Sequence, residues 1–204
     1  MINLNSTNFM LRVILWILTG ARVFVLVPFF LQAGITAHEL ARAGADYSTQ
    51  RALTVGLIVL MGVTDLLDGW VARRFGLVSQ LGALVDAVSD KLVQIVLVCF
   101  FTLIIGPAFT TLPLWFLIVV FGRDLVLLVG VTMLRVRYGP LRVVHRNHGR
   151  ISSLLMFGVV TWAARSLPAF GLFPLMLITA AISVYSAVVY AFDGAAQGRA
   201  MSRG

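Results

Sequence analysis

The run DLLDGWVAR occupies residues 65–73, and GALVDAVSD follows at residues 82–90 after eight intervening residues. Together the two runs hold four aspartates in an otherwise strongly apolar part of the sequence. Asp65 and Asp68 are three positions apart and Asp86 and Asp90 are four apart, so each pair lies on one face of a helix. A carboxylate at membrane depth is costly and usually marks a functional site. The two runs therefore predict a site built on two neighbouring helices.

The composition indicates a membrane protein. Of the 204 residues, 60% are hydrophobic and 12% are charged, and the mean hydropathy is +0.98. Several apolar runs approach the roughly 20 residues that a helix needs to cross a bilayer. We therefore predict an all-α, polytopic membrane protein in which residues 1–204 form a single transmembrane domain. The six predicted spans cover residues 10–34, 51–72, 79–105, 112–135, 150–166 and 170–192.

The arginines predict the orientation, because they are concentrated in alternate connections. Both termini and the turn at residues 73–81 are expected in the cytoplasm, with the site facing the same side, and the expected location is the inner membrane of a cell. The net charge of +8 follows from this bias and from attraction to anionic lipid, so we expect no nucleic-acid partner. The first apolar run is interpreted as a span, since it is long for a signal peptide and is interrupted by Arg22.

The four aspartates favour a metal site. Converging carboxylates repel one another unless cations lie among them, and oxygen-only ligands suit Mg²⁺, Mn²⁺ or Ca²⁺. An all-carboxylate site for two metal ions is typical of phosphate or pyrophosphate chemistry. One alternative is structural pairing with Arg22, Lys91 or Arg123, which would explain some of the acids but not their spacing. A second alternative is a proton or cation pathway through a transporter.

Small residues and one arginine accompany the acids. Gly69 and Gly82 leave room for close approach of a ligand, and Ala72 adds only a small side chain to the same surface. Tight packing between the two helices is the alternative explanation for the glycines. Arg73 could hold a phosphate at the cytoplasmic end of its helix, or it could be an ordinary arginine of the positive-inside pattern.

The two runs resemble the signature of the CDP-alcohol phosphatidyltransferases, D-x2-D-G-x2-A-R-x8-G-x3-D-x3-D, and all eight defined positions are present. The resemblance implies a dimeric enzyme with six membrane helices. Such an enzyme moves a phosphatidyl group from a CDP-linked donor, here CDP-diacylglycerol, to an alcohol and releases CMP. It also implies two divalent ions, Mg²⁺ or Mn²⁺. Intramembrane prenyltransferases also use aspartate-rich motifs, but without this framework of glycine, alanine and arginine.

The resemblance assigns roles to individual residues. The metal ligands would be Asp65, Asp68, Asp86 and Asp90, with Asp90 also the catalytic general base for the acceptor hydroxyl. The CDP-linked donor would contact Gly69, Ala72, Arg73 and Gly82 and, from a T-x-x-R element in the first helix, Thr19 and Arg22. Many members of the family have an asparagine three residues before that threonine, where this chain has Trp16.

The acceptor is expected to be an anionic alcohol. The sequences Gly122-Arg123-Asp124 and Asp90-Lys91 resemble the phosphatidylglycerolphosphate synthase and CMP-forming cardiolipin synthase branches, whose acceptors are glycerol 3-phosphate and phosphatidylglycerol. The predicted acceptor-binding residues are Arg123, Arg142, Arg146 and Arg150, the last three sharing one face if their segment is helical. The alternative is that these arginines only set the topology and attract anionic lipid. Inositol phosphate or an uncharged alcohol stays open as an acceptor.

Overall fold

The computed structural model describes residue 17 and residues 19–74, 80–138 and 148–201. This part of the chain is helical with short connections and contains no strand, so the predicted all-α class is confirmed for it. A π-helical turn, Arg22–Leu26, leads directly into the first α-helix. The α-helices are α1 (Val27–Arg42), α2 (Ser48–Arg74), α3 (Gln80–Leu103), α4 (Leu114–Tyr138), α5 (His148–Ala164) and α6 (Ala169–Met201).

The π-helical turn is explained by the proline that follows it. The amide of Val27 donates to the carbonyl of Arg22, five residues earlier, instead of to the residue four earlier. Pro28 has no amide hydrogen, and in an ordinary helix its ring would collide with the carbonyl of Phe24. The wider turn ahead of the proline accommodates this ring. Arg22, at the start of the turn, is buried.

Among the described residues, three helical segments are long and apolar enough to cross a membrane: Thr19–Arg42, Ser48–Leu67 and Ala169–Val189. An integral membrane protein is therefore supported, whereas the number of six spans stays a prediction. The first helix ends at Arg42 and not near residue 34 as predicted. Gly34 does not end α1, because it is a position within the helix where the Phe100 ring packs closely. The chain turns only at Gly44, whose φ is +70°. The last helix likewise continues to Met201, beyond the predicted end at residue 192.

The chain divides into two compact units, and the prediction of a single domain stays a prediction. The first unit comprises the described part of residues 1–111 together with 160–167. Its core is aromatic: the Phe30 and Phe100 ring centroids are 4.9 Å apart, those of Phe100 and Phe101 are 5.1 Å apart, and those of Phe101 and Phe109 are 5.5 Å apart. The second unit comprises the described parts of residues 112–159 and 168–204, with α4 packed along α6.

The connection between α3 and α4 is fixed to α1 within the first unit. The amide of Ala108 donates to Nδ1 of the buried His38 over 3.4 Å. The guanidinium of Arg42 donates to the carbonyl of Ile105 over 2.8 Å. A Cβ atom on Gly106 would lie only 2.2 Å from His38 Nδ1, so this position requires glycine. These contacts hold the end of α3, and with it the helix that bears Asp86 and Asp90.

Candidate functional site

Three of the four predicted metal ligands lie together in the first unit. Asp65 lies in the second half of α2, and Asp86 and Asp90 lie in the first half of α3. One carboxylate oxygen from each of these aspartates lies within 4.8 Å of the others. Asp68 follows Asp65 by one helical turn, but its side chain is outside the described part of the chain. The acids of two helices therefore converge, as the spacing of the motif predicts.

A buried arginine lies among these acids. Nη1 of Arg22 donates to Oδ1 of Asp65 over 2.9 Å and to Oδ1 of Asp90 over 2.5 Å. Only 1% of the Arg22 side chain is exposed, against 24% for Asp65 and 26% for Asp90. The guanidinium thus joins the turn before α1 to both acid-bearing helices. Asp65 and Asp90 are thus paired with Arg22, one of the cations that the structural-pairing alternative named.

Asp86 differs from the other two aspartates. Its Oδ1 atom is buried and has no hydrogen-bond partner among the described residues. A buried polar atom without a partner costs about 1–3 kcal/mol, and more when it is charged, so it calls for a ligand. Three converging carboxylates, one with a bare buried oxygen, offer the hard oxygen ligands that Mg²⁺ and Mn²⁺ prefer. The residues present therefore fit a divalent cation.

The predicted donor-binding residues are placed only in part. Thr19 is buried one helical turn before Arg22, so the two residues share a face. Gly82 lies on α3 one turn before Asp86. Gly69, Ala72 and Arg73 belong to α2, but nothing beyond their helical backbone is described. Trp16 is outside the described residues.

The predicted acceptor-binding residues are placed for Arg123 alone. Arg123 lies on α4 in the second unit, where its Nε is 3.5 Å from Oδ1 of Asp124. Its Nη1 donates to Oγ of Ser152 on α5 over 3.3 Å, and that hydroxyl is 2.6 Å from Oγ of Ser183 on α6. Arg142 and Arg146 lie outside the described residues, and only the backbone of Arg150 is described, in α5.

The link from Arg123 through Ser152 to Ser183 was not predicted from the sequence. A usable signal was present, since Thr179, Ser183 and Ser186 recur at helical spacing within an apolar run. All three are buried on α6. Polar residues that recur on one face of an apolar helix commonly bond to neighbouring helices.

Comparison with known proteins agrees with this geometry. The family model for CDP-alcohol phosphatidyltransferases matches residues 14–192. A probable phosphatidylglycerophosphate synthase of Mycobacterium tuberculosis is 32% identical over 125 residues, which are 58% of this chain and 49% of that protein. A CMP-forming cardiolipin synthase of Streptomyces coelicolor is 38% identical over 97 residues, 47% of this chain and 41% of that protein.

A longer match is found with a protein of Bacillus subtilis named CDP-diacylglycerol–glycerol-3-phosphate 3-phosphatidyltransferase. It is 30% identical over 150 residues, which are 72% of this chain and 69% of that protein. The chain spans about half the length of the mycobacterial relative. The family model, in contrast, covers both motif runs and nearly every helix of this chain. The chain therefore belongs to the CDP-alcohol phosphatidyltransferase family.

Proposed function

We propose that this protein transfers a phosphatidyl group from CDP-diacylglycerol to an alcohol in the membrane and releases CMP. The observation that carries the proposal is the convergence of Asp65, Asp86 and Asp90 within 4.8 Å, at the positions of the family motif. Acids that only pair with arginine do not need this spacing on two helices. A site that collects carboxylates is suited to hold the cations that a pyrophosphate donor requires.

The cations are proposed to be two Mg²⁺ or Mn²⁺ ions held by Asp65, Asp68, Asp86 and Asp90. When bound, they would neutralise the charge of the donor pyrophosphate, which otherwise repels an attacking oxygen. The bare buried oxygen of Asp86 supports this assignment.

The protein residues bind the donor and move one proton. The acceptor oxygen forms a bond to the β-phosphorus, which bears the diacylglycerol, while the bond from this phosphorus to the bridging oxygen breaks. CMP leaves with that electron pair, and the acceptor proton passes to Asp90. Asp90 lies on α3 with about a quarter of its side chain exposed, so a hydroxyl can reach it.

The donor headgroup is proposed to lie along Thr19, Arg22, Gly69, Ala72, Arg73 and Gly82. Arg73 supplies charge-assisted hydrogen bonds to a phosphate, and the glycines and Ala72 leave room for the nucleotide. The apolar helices keep the acyl chains of the donor in lipid while its headgroup enters the polar site.

The acceptor is proposed to be anionic, either glycerol 3-phosphate or phosphatidylglycerol. The names of the relatives from Bacillus subtilis and Streptomyces coelicolor support these two choices. Four arginines in the second half of the sequence are proposed to bind its phosphate: Arg123, Arg142, Arg146 and Arg150. Their charge also suits anionic lipid, so acceptor binding has to be measured directly.

The proposed setting is a homodimer with six membrane spans, located in the inner membrane with its site facing the cytoplasm. The six α-helices of the described residues and the alternation of arginine-rich connections support the number of spans and the orientation, and the homodimer rests on the family resemblance alone.

Release of CMP tests the proposed function. The full-length protein is reconstituted with CDP-diacylglycerol and assayed with glycerol 3-phosphate, phosphatidylglycerol, inositol phosphate, serine and inositol in turn. We expect CMP release with one of the first two acceptors, loss of activity in EDTA and its return with Mg²⁺ or Mn²⁺. The variant Asp86→Asn serves as the inactive control. Full activity in excess EDTA would contradict the metal assignment, and no CMP release with any acceptor would favour the transporter alternative.

A further inference from the structure

The candidate site includes a positively charged protein side chain, that of Arg22. Nη1 of Arg22 donates to one oxygen of Asp65 and to one oxygen of Asp90, so a single nitrogen contacts acids from two helices. The guanidinium is almost completely buried, whereas both carboxylates are partly exposed. A cation that enters from the exposed side therefore meets two acids that are already bonded to an arginine behind them.

We propose that the Arg22 guanidinium and divalent cations compete for Asp65 and Asp90, so that cation binding releases Arg22 to bind the donor phosphates. This inference rests on the proposed function, because it takes these acids to be metal ligands and the donor to be a pyrophosphate. It adds an order of events and gives Arg22 a role in setting metal affinity.

Charge supplies the first argument. A fixed positive charge within hydrogen-bond distance of two ligands weakens binding of a second cation there, and the effect is largest where water is excluded.

The cost of a buried guanidinium supplies the second argument. An arginine that loses its carboxylates in an apolar surrounding must find another anion, because an unpaired buried charge is strongly unfavourable. A phosphate matches the planar donors of guanidinium better than most other groups. The donor pyrophosphate would provide that anion, so metal and donor are expected to strengthen each other's binding.

Two affinities measured on one variant test the inference. In full-length Arg22→Met, binding of Mn²⁺ is followed by electron paramagnetic resonance of the free ion, and binding of CDP at saturating Mn²⁺ by calorimetry. We expect Mn²⁺ to bind about tenfold more tightly, because the competing charge is gone, and CDP about tenfold more weakly, because a phosphate partner is lost. A merely structural role of Arg22 would weaken both.

Three variants complete the test. Arg22→Lys retains the charge, so its Mn²⁺ affinity should stay near that of the parent protein, whereas its binding of CDP should be weaker. Arg165→Met removes an exposed arginine that directly follows α5 in the first unit, away from the acids, and should change neither affinity. Arg22→Gln keeps a polar side chain without charge and should move both affinities in the direction expected for Arg22→Met, which covers the case of a methionine variant that does not fold.

Failure of the inference and failure of the proposed function are distinguishable. Mn²⁺ binding that is unchanged or weaker in Arg22→Met and Arg22→Gln overturns the competition, even if Asp86→Asn abolishes Mn²⁺ binding as the proposed function requires. Mn²⁺ binding that persists in both Asp86→Asn and Asp65→Asn overturns the metal site itself.

Discussion

The aspartates show what residue spacing can predict. The separations within each pair predicted that each pair lies on one helical face, and the structure brings three of the four acids within 4.8 Å. The sequence allowed the bonds from Arg22 to Asp65 and Asp90 only as one alternative, since they join residues 43 and 68 positions apart. Such contacts depend on how helices pack, which the spacing of one motif does not contain.

The Asp90→Asn variant should lose turnover but still bind the donor. An asparagine cannot take a proton, and loss of a general base commonly lowers the rate by about 10²–10⁴-fold. Donor binding should survive better than in Asp65→Asn, whose carboxylate is proposed to hold metal and pyrophosphate together. Rates of CMP release and CDP affinities of the two variants check this. Near-normal turnover of Asp90→Asn would show that another group takes the proton.

Gly34→Ala should destabilise the first unit. A Cβ atom there would lie 2.3 Å from Cζ of Phe100, a buried ring that packs against three other phenylalanine rings of the first unit. Overpacking of this kind costs about 1–3 kcal/mol. Gly56→Ala is the matched control, because a Cβ at that helical position meets nothing within 4 Å. Thermal unfolding in detergent should show a lower Tm for Gly34→Ala and an equal or higher Tm for Gly56→Ala. Equal loss in both would mean that helix backbone effects dominate.

At the scale of helices, the sequence predicted which segments are helical better than it predicted where each helix ends. Each predicted span has a helix, but α1 continues eight residues past its predicted end because Gly34 is a packing position and Gly44 is the turn. The predicted start of the second span, residue 51, is closer to the observed start of α2 at Ser48. Asp46 accepts hydrogen bonds from the amide and the hydroxyl of Ser48 at this start, and they lower the pKa of the Asp46 carboxyl. Composition indicates where helices are apolar, whereas turns depend on single backbone conformations.

Ser183→Ala should remove the hydrogen bond that links α6 to α5 and lower the stability of the second unit. Its hydroxyl lies 2.6 Å from that of Ser152, which also accepts from Arg123. Loss of a buried interhelical hydrogen bond costs about 0.5–2 kcal/mol. Ser186→Ala, one turn along the same buried face, is the control, because its hydroxyl has no hydrogen-bond partner among the described residues. Unfolding by denaturing detergent should separate the two variants. A Ser186→Ala variant as unstable as Ser183→Ala would contradict this assignment.

At the scale of the whole molecule, composition predicted a helical membrane protein, and the motif predicted its family, which the match over residues 14–192 confirms. The number of spans, the dimer and the acceptor stay predictions. They depend on the bilayer, on a second copy and on the shape of a bound substrate. None of these is specified by a local run of residues.

Labelling of single cysteines should show on which side of the membrane two segments of the chain lie. In a Cys99→Ser background, Ala45→Cys in the connection after α1 should react with a membrane-impermeant maleimide from outside a bacterial host. Ser202→Cys near the C terminus should react only after the membrane is opened. The expected difference follows from the arginine-rich connections. The opposite pattern would place the proposed site outside the cytoplasm.

The buried position of Arg22 has a consequence for biosynthesis. Its partners Asp65 and Asp90 follow it by 43 and 68 residues. At a translation rate of about 5–20 residues per second, the ribosome delivers them some seconds after the arginine itself. During that interval the first helix carries an uncompensated guanidinium, which disfavours stable entry into lipid. The nascent first helix is thus expected to wait at the translocon or the headgroup layer until the third helix emerges, so insertion and assembly of these three helices become one cooperative event.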